Sequence, residues 1–135
     1  MKGQAAIEYM TVLGIALVLS APFVIKAQGS ILKLRSGSAS LTAQDTLNDI
    51  EVAAETVSAA GEPATRTFVI TIPNSVNSTS VGNRQVKILL NDPSGATSYS
   101  RSFSFNVTGS LPSSGGKYRL KTEAKNGGVN LQVVS

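Results

Sequence analysis

The chain has 135 residues, a net charge of +4 with only 15% charged residues, and neither cysteine nor histidine. This allows one small domain, and it excludes disulfides, thiolate and imidazole metal ligands, thiol nucleophiles and histidine general bases, the groups behind most hydrolase and metal chemistry. The twelve Lys and Arg are spread along the chain, with no block and no basic stripe interleaved with aromatics, so the basic balance does not point to nucleic acid.

The first element is apolar. Tyr9 to Ile25 is an uncharged run of seventeen residues. A helix from Gln4 to Ile25 would reach about 33 Å, close to the thickness of a bilayer's hydrocarbon core. An ordinary secretory signal would instead have a longer basic start, a shorter apolar stretch and a cut near Ala21. Glu8 stands where the apolar stretch of such a signal should begin.

Lys2-Gly3, then Gln4, then Glu8-Tyr9 and the apolar run resemble the class III leader and helix of archaeal type IV pilins. The resemblance covers about the first 25 residues and implies a membrane peptidase cutting between Gly3 and Gln4, with the helix retained. It implies a structural filament subunit with no cofactor, serving adhesion and cell-cell contact. The implied partners are other copies of the chain in a helical homopolymer, the prepilin peptidase and pilus assembly machinery, and the membrane before assembly. The precursor would sit in the cytoplasmic membrane and the filament outside the cell. Ile7, Val12, Leu13, Ile15, Leu17, Val18 and Leu19 would pack against their equivalents in neighbours.

A carboxyl in apolar surroundings costs a few kcal/mol and marks a function or a partner. After the cut, Glu8 would be the fifth residue, and the new amine of Gln4 is its candidate partner, on a neighbouring subunit or on the same chain at i, i+4. Cyclisation of an N-terminal glutamine would delete that amine. The competing reading places Glu8 at the positive end of the helix dipole or at the membrane surface. An archaeal flagellar filament protein is the nearest alternative; a membrane-anchored surface binding module that never polymerises is the alternative of a different class.

Gly14 and Pro22 interrupt the apolar helix, since proline lacks a donor for the carbonyl of Val18 and glycine is a weak helix former. They read as a kink tolerated by the membrane, or as a hinge for transfer into a filament. Beyond Lys26, Ile31, Leu34 and Leu41 share a stripe that Leu47, Ile50, Ala54 and Val57 continue at helical spacing. The helix should run to about Ala60 and stop at Gly61, with Ser36-Gly37-Ser38 as its weak middle. Unbroken, it would extend about 85 Å. Asp45, Asp49, Glu51 and Glu55 lie on different sides of it, a solvated pattern rather than a cation site.

The rest alternates with period two. Phe68, Ile70 and Ile72 share one face, as do Val86, Ile88 and Leu90. A turn at Asn91 to Gly95 leads to a strand over Tyr99 to Val107, and Tyr118 to Ala124 joins Val129 to Val133 through Asn126-Gly127, a strong hairpin signal. Pro73 to Asn83 reads as a polar connection and Leu111 to Gly116 as a loop. Two acceptor sequons, Asn77-Ser78-Thr79 and Asn106-Val107-Thr108, agree with export and are candidate glycosylation sites.

The sequence therefore predicts an α+β, lollipop-like chain with a long N-terminal hydrophobic helix and a C-terminal antiparallel β domain of at least five strands. Residues 1–3 form a leader, 4–62 a helix (4–25 hydrophobic, 26–62 amphipathic) and 63–135 the β domain.

Overall fold

The computed structural model describes residues 2–134. One helix, α1 (Lys2–Ala60), is followed by seven strands: β1 (Thr65–Ile72), β2 (Val76–Gly82), β3 (Gln85–Asp92), β4 (Gly95–Ser102), β5 (Val107–Gly109), β6 (Gly116–Lys125) and β7 (Gly128–Val133). The fold is α+β, as expected. Met1, in the expected leader, and Ser135, the last residue of the expected β domain, lie outside the described residues. The chain divides into two compact units at Arg35 and Ser36. The second, β-bearing unit thus begins at Ser36, inside α1.

Helix α1 runs through Gly14, Pro22 and Ser36-Gly37-Ser38 without a break. It ends where the sequence expects, because Gly61 takes φ +73° and its N–H donates to the Val57 carbonyl at 3.1 Å. A left-handed glycine closing the last turn in this way satisfies an otherwise orphaned carbonyl. The Ala64 N–H then donates to Gly61 O at 2.9 Å, which directs the chain into β1.

The strands form two sheets, a four-stranded one in the order β1-β6-β7-β5 and a three-stranded one in the order β2-β3-β4. All pairings are antiparallel except β5 with β7, which is parallel. The Asn126-Gly127 hairpin is present, both central residues having positive φ (52° and 74°) between paired Lys125 and Gly128. That is the turn whose twist matches the flanking strands.

Two expected boundaries are corrected. The polar connection Pro73 to Asn83 is mostly the strand β2, which pairs with β3 through a second tight turn at Asn83 (φ 50°) and Arg84 (φ 62°). A register shift between Val76 and Ser78 leaves Asn77 as a bulge. Val76, Thr79 and Val81 therefore stand opposite Leu90, Ile88 and Val86, and the inward spacing is three and then two. A bulge of this kind destroys the alternation by which a strand is recognised.

The second correction concerns Tyr99 to Val107, which is not one strand. β4 ends at Ser102, Phe103 to Asn106 cross between sheets, and Val107 opens β5 in the other sheet. The inward alternation survives the crossing, since Phe103 and Val107 are buried while Ser104 and Asn106 are exposed.

One core serves the second unit. Ala43, Leu47, Ile50, Ala54 and Val57 of α1 pack with Ile70 and Ile72, with Val86, Ile88 and Leu90, and with Leu120, Val129 and Leu131. The expected helical stripe holds from Leu47 onward, but Leu41 is exposed and Ala43 and Thr46 take the inward positions. Ile31 and Leu34, expected on the same stripe, are exposed residues of the first unit. Polar pins fix the helix: Thr46 Oγ1 donates to Thr71 O at 2.6 Å, Ser36 Oγ donates to Asp92 Oδ1, and Arg101 Nε lies 3.1 Å from Glu51 Oε2. Buried Thr122 is satisfied by Arg66 O at 3.1 Å.

Candidate functional site

The candidate assembly surface is the first half of α1. Every residue from Lys2 to Arg35 is exposed. Its large apolar side chains range from 45% exposed at Leu13 to 75% at Phe23, and Ile7, Val12, Ile15, Leu17, Val18 and Leu19 fall between them. These residues surround the helix, and all of them are exposed. A helix apolar all round is stable only inside lipid or among other chains. It is long and apolar enough to cross a membrane.

The polar groups in this stretch are satisfied locally. Thr11 Oγ1 donates to Ile7 O at 2.8 Å, Ser20 Oγ to Leu17 O at 2.8 Å and Ser30 Oγ to Lys26 O at 3.1 Å. Hydroxyls that bond back to the preceding turn add no unsatisfied donor in an apolar medium. Pro22 remains the weak point, because it has no N–H to offer Val18 O. At Gly14 an added Cβ would meet nothing within 4 Å, so the chain's own packing does not require a glycine there.

Gly3 and Gln4 lie in the first turn of α1, which has no acidic residue. Glu8 is in the second turn and exposed. The field of a helix terminus falls off within the first turn, so the dipole gives Glu8 little reason to be there. Gln4 is its i, i+4 neighbour, and any contact with a second chain is additional to that.

Asn77 and Asn106 are both exposed but differ in setting. Asn77 is the bulge residue of β2, and the hydroxyl of its sequon partner Thr79 donates to Leu111 O at 3.1 Å. Asn106 precedes β5 and borders a groove of about 350 Å³ shared with Thr108, Lys125 and Asn130. Thr108 Oγ1 reaches only Asn130 Oδ1, at 3.4 Å. Among the described residues, no three His, Cys, Asp or Glu side chains gather as metal ligands do. Asp45, Asp49 and Glu55 are exposed on α1.

The fold brings out a basic row. Lys117, Arg119 and Lys121 alternate along β6 with inward Tyr118, Leu120 and Thr122, so all three stand on the outer face of the four-stranded sheet. In the sequence the row is marked only by the i, i+2 spacing of the three cations, not by a contiguous block. No family model, curated protein or solved structure matches the chain.

Proposed function

We infer that the chain is the structural subunit of an extracellular type IV pilus-like filament that polymerises through the first half of α1, for surface adhesion and cell-cell contact. The observation that carries this reading is a helical segment, apolar on every side and covered by nothing in its own chain, in a molecule whose second unit has a complete core. The leader-like Lys2-Gly3-Gln4 and the lone carboxylate of Glu8 add a processing signal and a register signal.

The precursor is held in the membrane by this helix and is trimmed by a prepilin peptidase before the assembly machinery extracts it. In the fibre, Ile7, Val12, Leu13, Ile15, Leu17, Val18 and Leu19 pack against neighbouring helices. At about 25 cal/mol per Å² the gross burial is worth tens of kcal/mol relative to water. Lipid already supplies most of that, so shape complementarity drives the step from membrane to fibre. Contacts that do not close on themselves propagate as an open helix.

Electron microscopy of material sheared from the cell surface tests the reading. Fibres containing the native chain are expected, with Glu8→Gln reducing their yield severely and Pro22→Ala slowing their assembly. Recovery of the chain only in membranes would replace the filament by a non-polymerising anchor.

A further inference from the structure

Charge in the second unit is sorted by element. From Ser36 to Glu62 there are five carboxylates and no Lys or Arg, whereas residues 63–135 hold eight Lys and Arg against two carboxylates. Among the described residues a single ion pair, Arg101 with Glu51, joins the two sets within 4 Å.

The sorting produces two open faces. On α1, Asp45, Asp49 and Glu55 flank Val52, all exposed, on the side opposite buried Ile50 and Val57. On the four-stranded sheet, Lys117, Arg119 and Lys121 stand two residues apart, which is about 7 Å along a strand. Their cross-strand neighbours on β1 are Thr71, Val69 and Thr67, and Gln132 on β7 is paired with Lys121. The same face carries one acid, Glu123, between Lys121 and exposed Lys125 at the end of the strand. A row of like charges with no opposite charge across the strand lacks the pairing that normally stabilises an open sheet face. Val52 and Val69, both exposed, line one groove of about 210 Å³ with Asp49 and Arg66, so the two faces adjoin along β1 and the cations of β6 lie beyond that groove.

We propose that the basic outer face of the four-stranded sheet docks the acidic Asp45 to Glu55 face of α1 from a second copy of this chain. The occupant follows from complementarity: the three cations of one face match the three carboxylates of the other, and every copy carries both halves. Opposite rows of this kind steer encounter and fix register more than they add affinity. The proposal rests on the filament reading for its setting, where it is a contact between β-bearing units, separate from the packing of the apolar helices.

The chain has no cysteine, so single introduced thiols report contacts between copies without interference. Full-length Val52→Cys and Gln132→Cys chains, co-expressed in the native membrane and oxidised mildly, are expected to give a mixed disulfide dimer. Adding Lys117→Glu, Arg119→Glu and Lys121→Glu to the Gln132→Cys chain should lower its yield by about tenfold, in line with the loss of three exposed pairs. Adding Asp45→Lys, Asp49→Lys and Glu55→Lys to the Val52→Cys chain should then restore it. No mixed dimer, or a dimer indifferent to both reversals, overturns the docking. Microscopy of the sheared fraction from cells making the native chain judges the filament separately, because the cross-link is read in membranes whether or not fibres form.

Discussion

The two halves of α1 are made of similar side chains and meet opposite fates. From Ile7 to Ile25, leucine, valine and isoleucine lie on every side and all are exposed. From Ala43 to Val57 the apolar residues other than exposed Val52 keep to one side and are buried in the second unit's core, with Ala43, Ala53 and Ala54 among them. Burial in this chain thus follows angular distribution, since a stripe needs one partner and a full cylinder needs several. The second half finds its partner within the chain; the first must find lipid or other copies.

The sharpest way to break the comparison is to truncate one leucine from each half. Leu47→Ala should lower the stability of the β-bearing unit by about 2–5 kcal/mol, because the cavity adds to the lost transfer energy. Leu17→Ala should leave that unit's thermal melting unchanged in detergent while reducing fibre yield. Circular dichroism of the two full-length variants checks both, and equal melting shifts would contradict the division.

Smaller effects sharpen it. Thr46→Val removes the hydroxyl that Thr71 O accepts from, and a loss of about 1–2 kcal/mol is expected by denaturant titration. Thr11→Val, in the exposed half, frees only a turn carbonyl and should not register. Gly61→Ala forces a Cβ into the left-handed region at φ +73° and should cost about 1 kcal/mol by the same titration. Smallest is Glu51→Gln, which breaks the partly exposed pair with Arg101. Its loss should stay below about 1 kcal/mol and shrink in high salt.

Much of this was legible in the sequence, for reasons that also explain the misses. Helix length, the stop at Gly61 and the Asn126-Gly127 hairpin follow from local chemistry, and each is found. β2 is not legible in the sequence because the bulge at Asn77 puts Val76 and Thr79 three residues apart on one face, which breaks the pattern of period two. Tyr99 to Val107 has the pattern of one strand because alternation reports which side faces inward, not which sheet a residue joins. Ile31 and Leu34 keep the spacing of the stripe yet are exposed, because spacing is blind to where a partner ends. Of the candidate site, the apolar run and Glu8 are legible in the sequence itself. The basic row on β6 is not, since it becomes a face only once Tyr118, Leu120 and Thr122 are known to point inward.

The central claim is that the exposed half of α1 is retained and covered by other copies after a cut at Gly3. Intact-mass and N-terminal analysis of the chain recovered from sheared surface fibres tests it most directly. The account predicts a chain beginning at Gln4, free or cyclised, with the whole of α1 beyond it present. A fibre-free preparation, or a mature chain beginning near Pro22 with the apolar half removed, would contradict it.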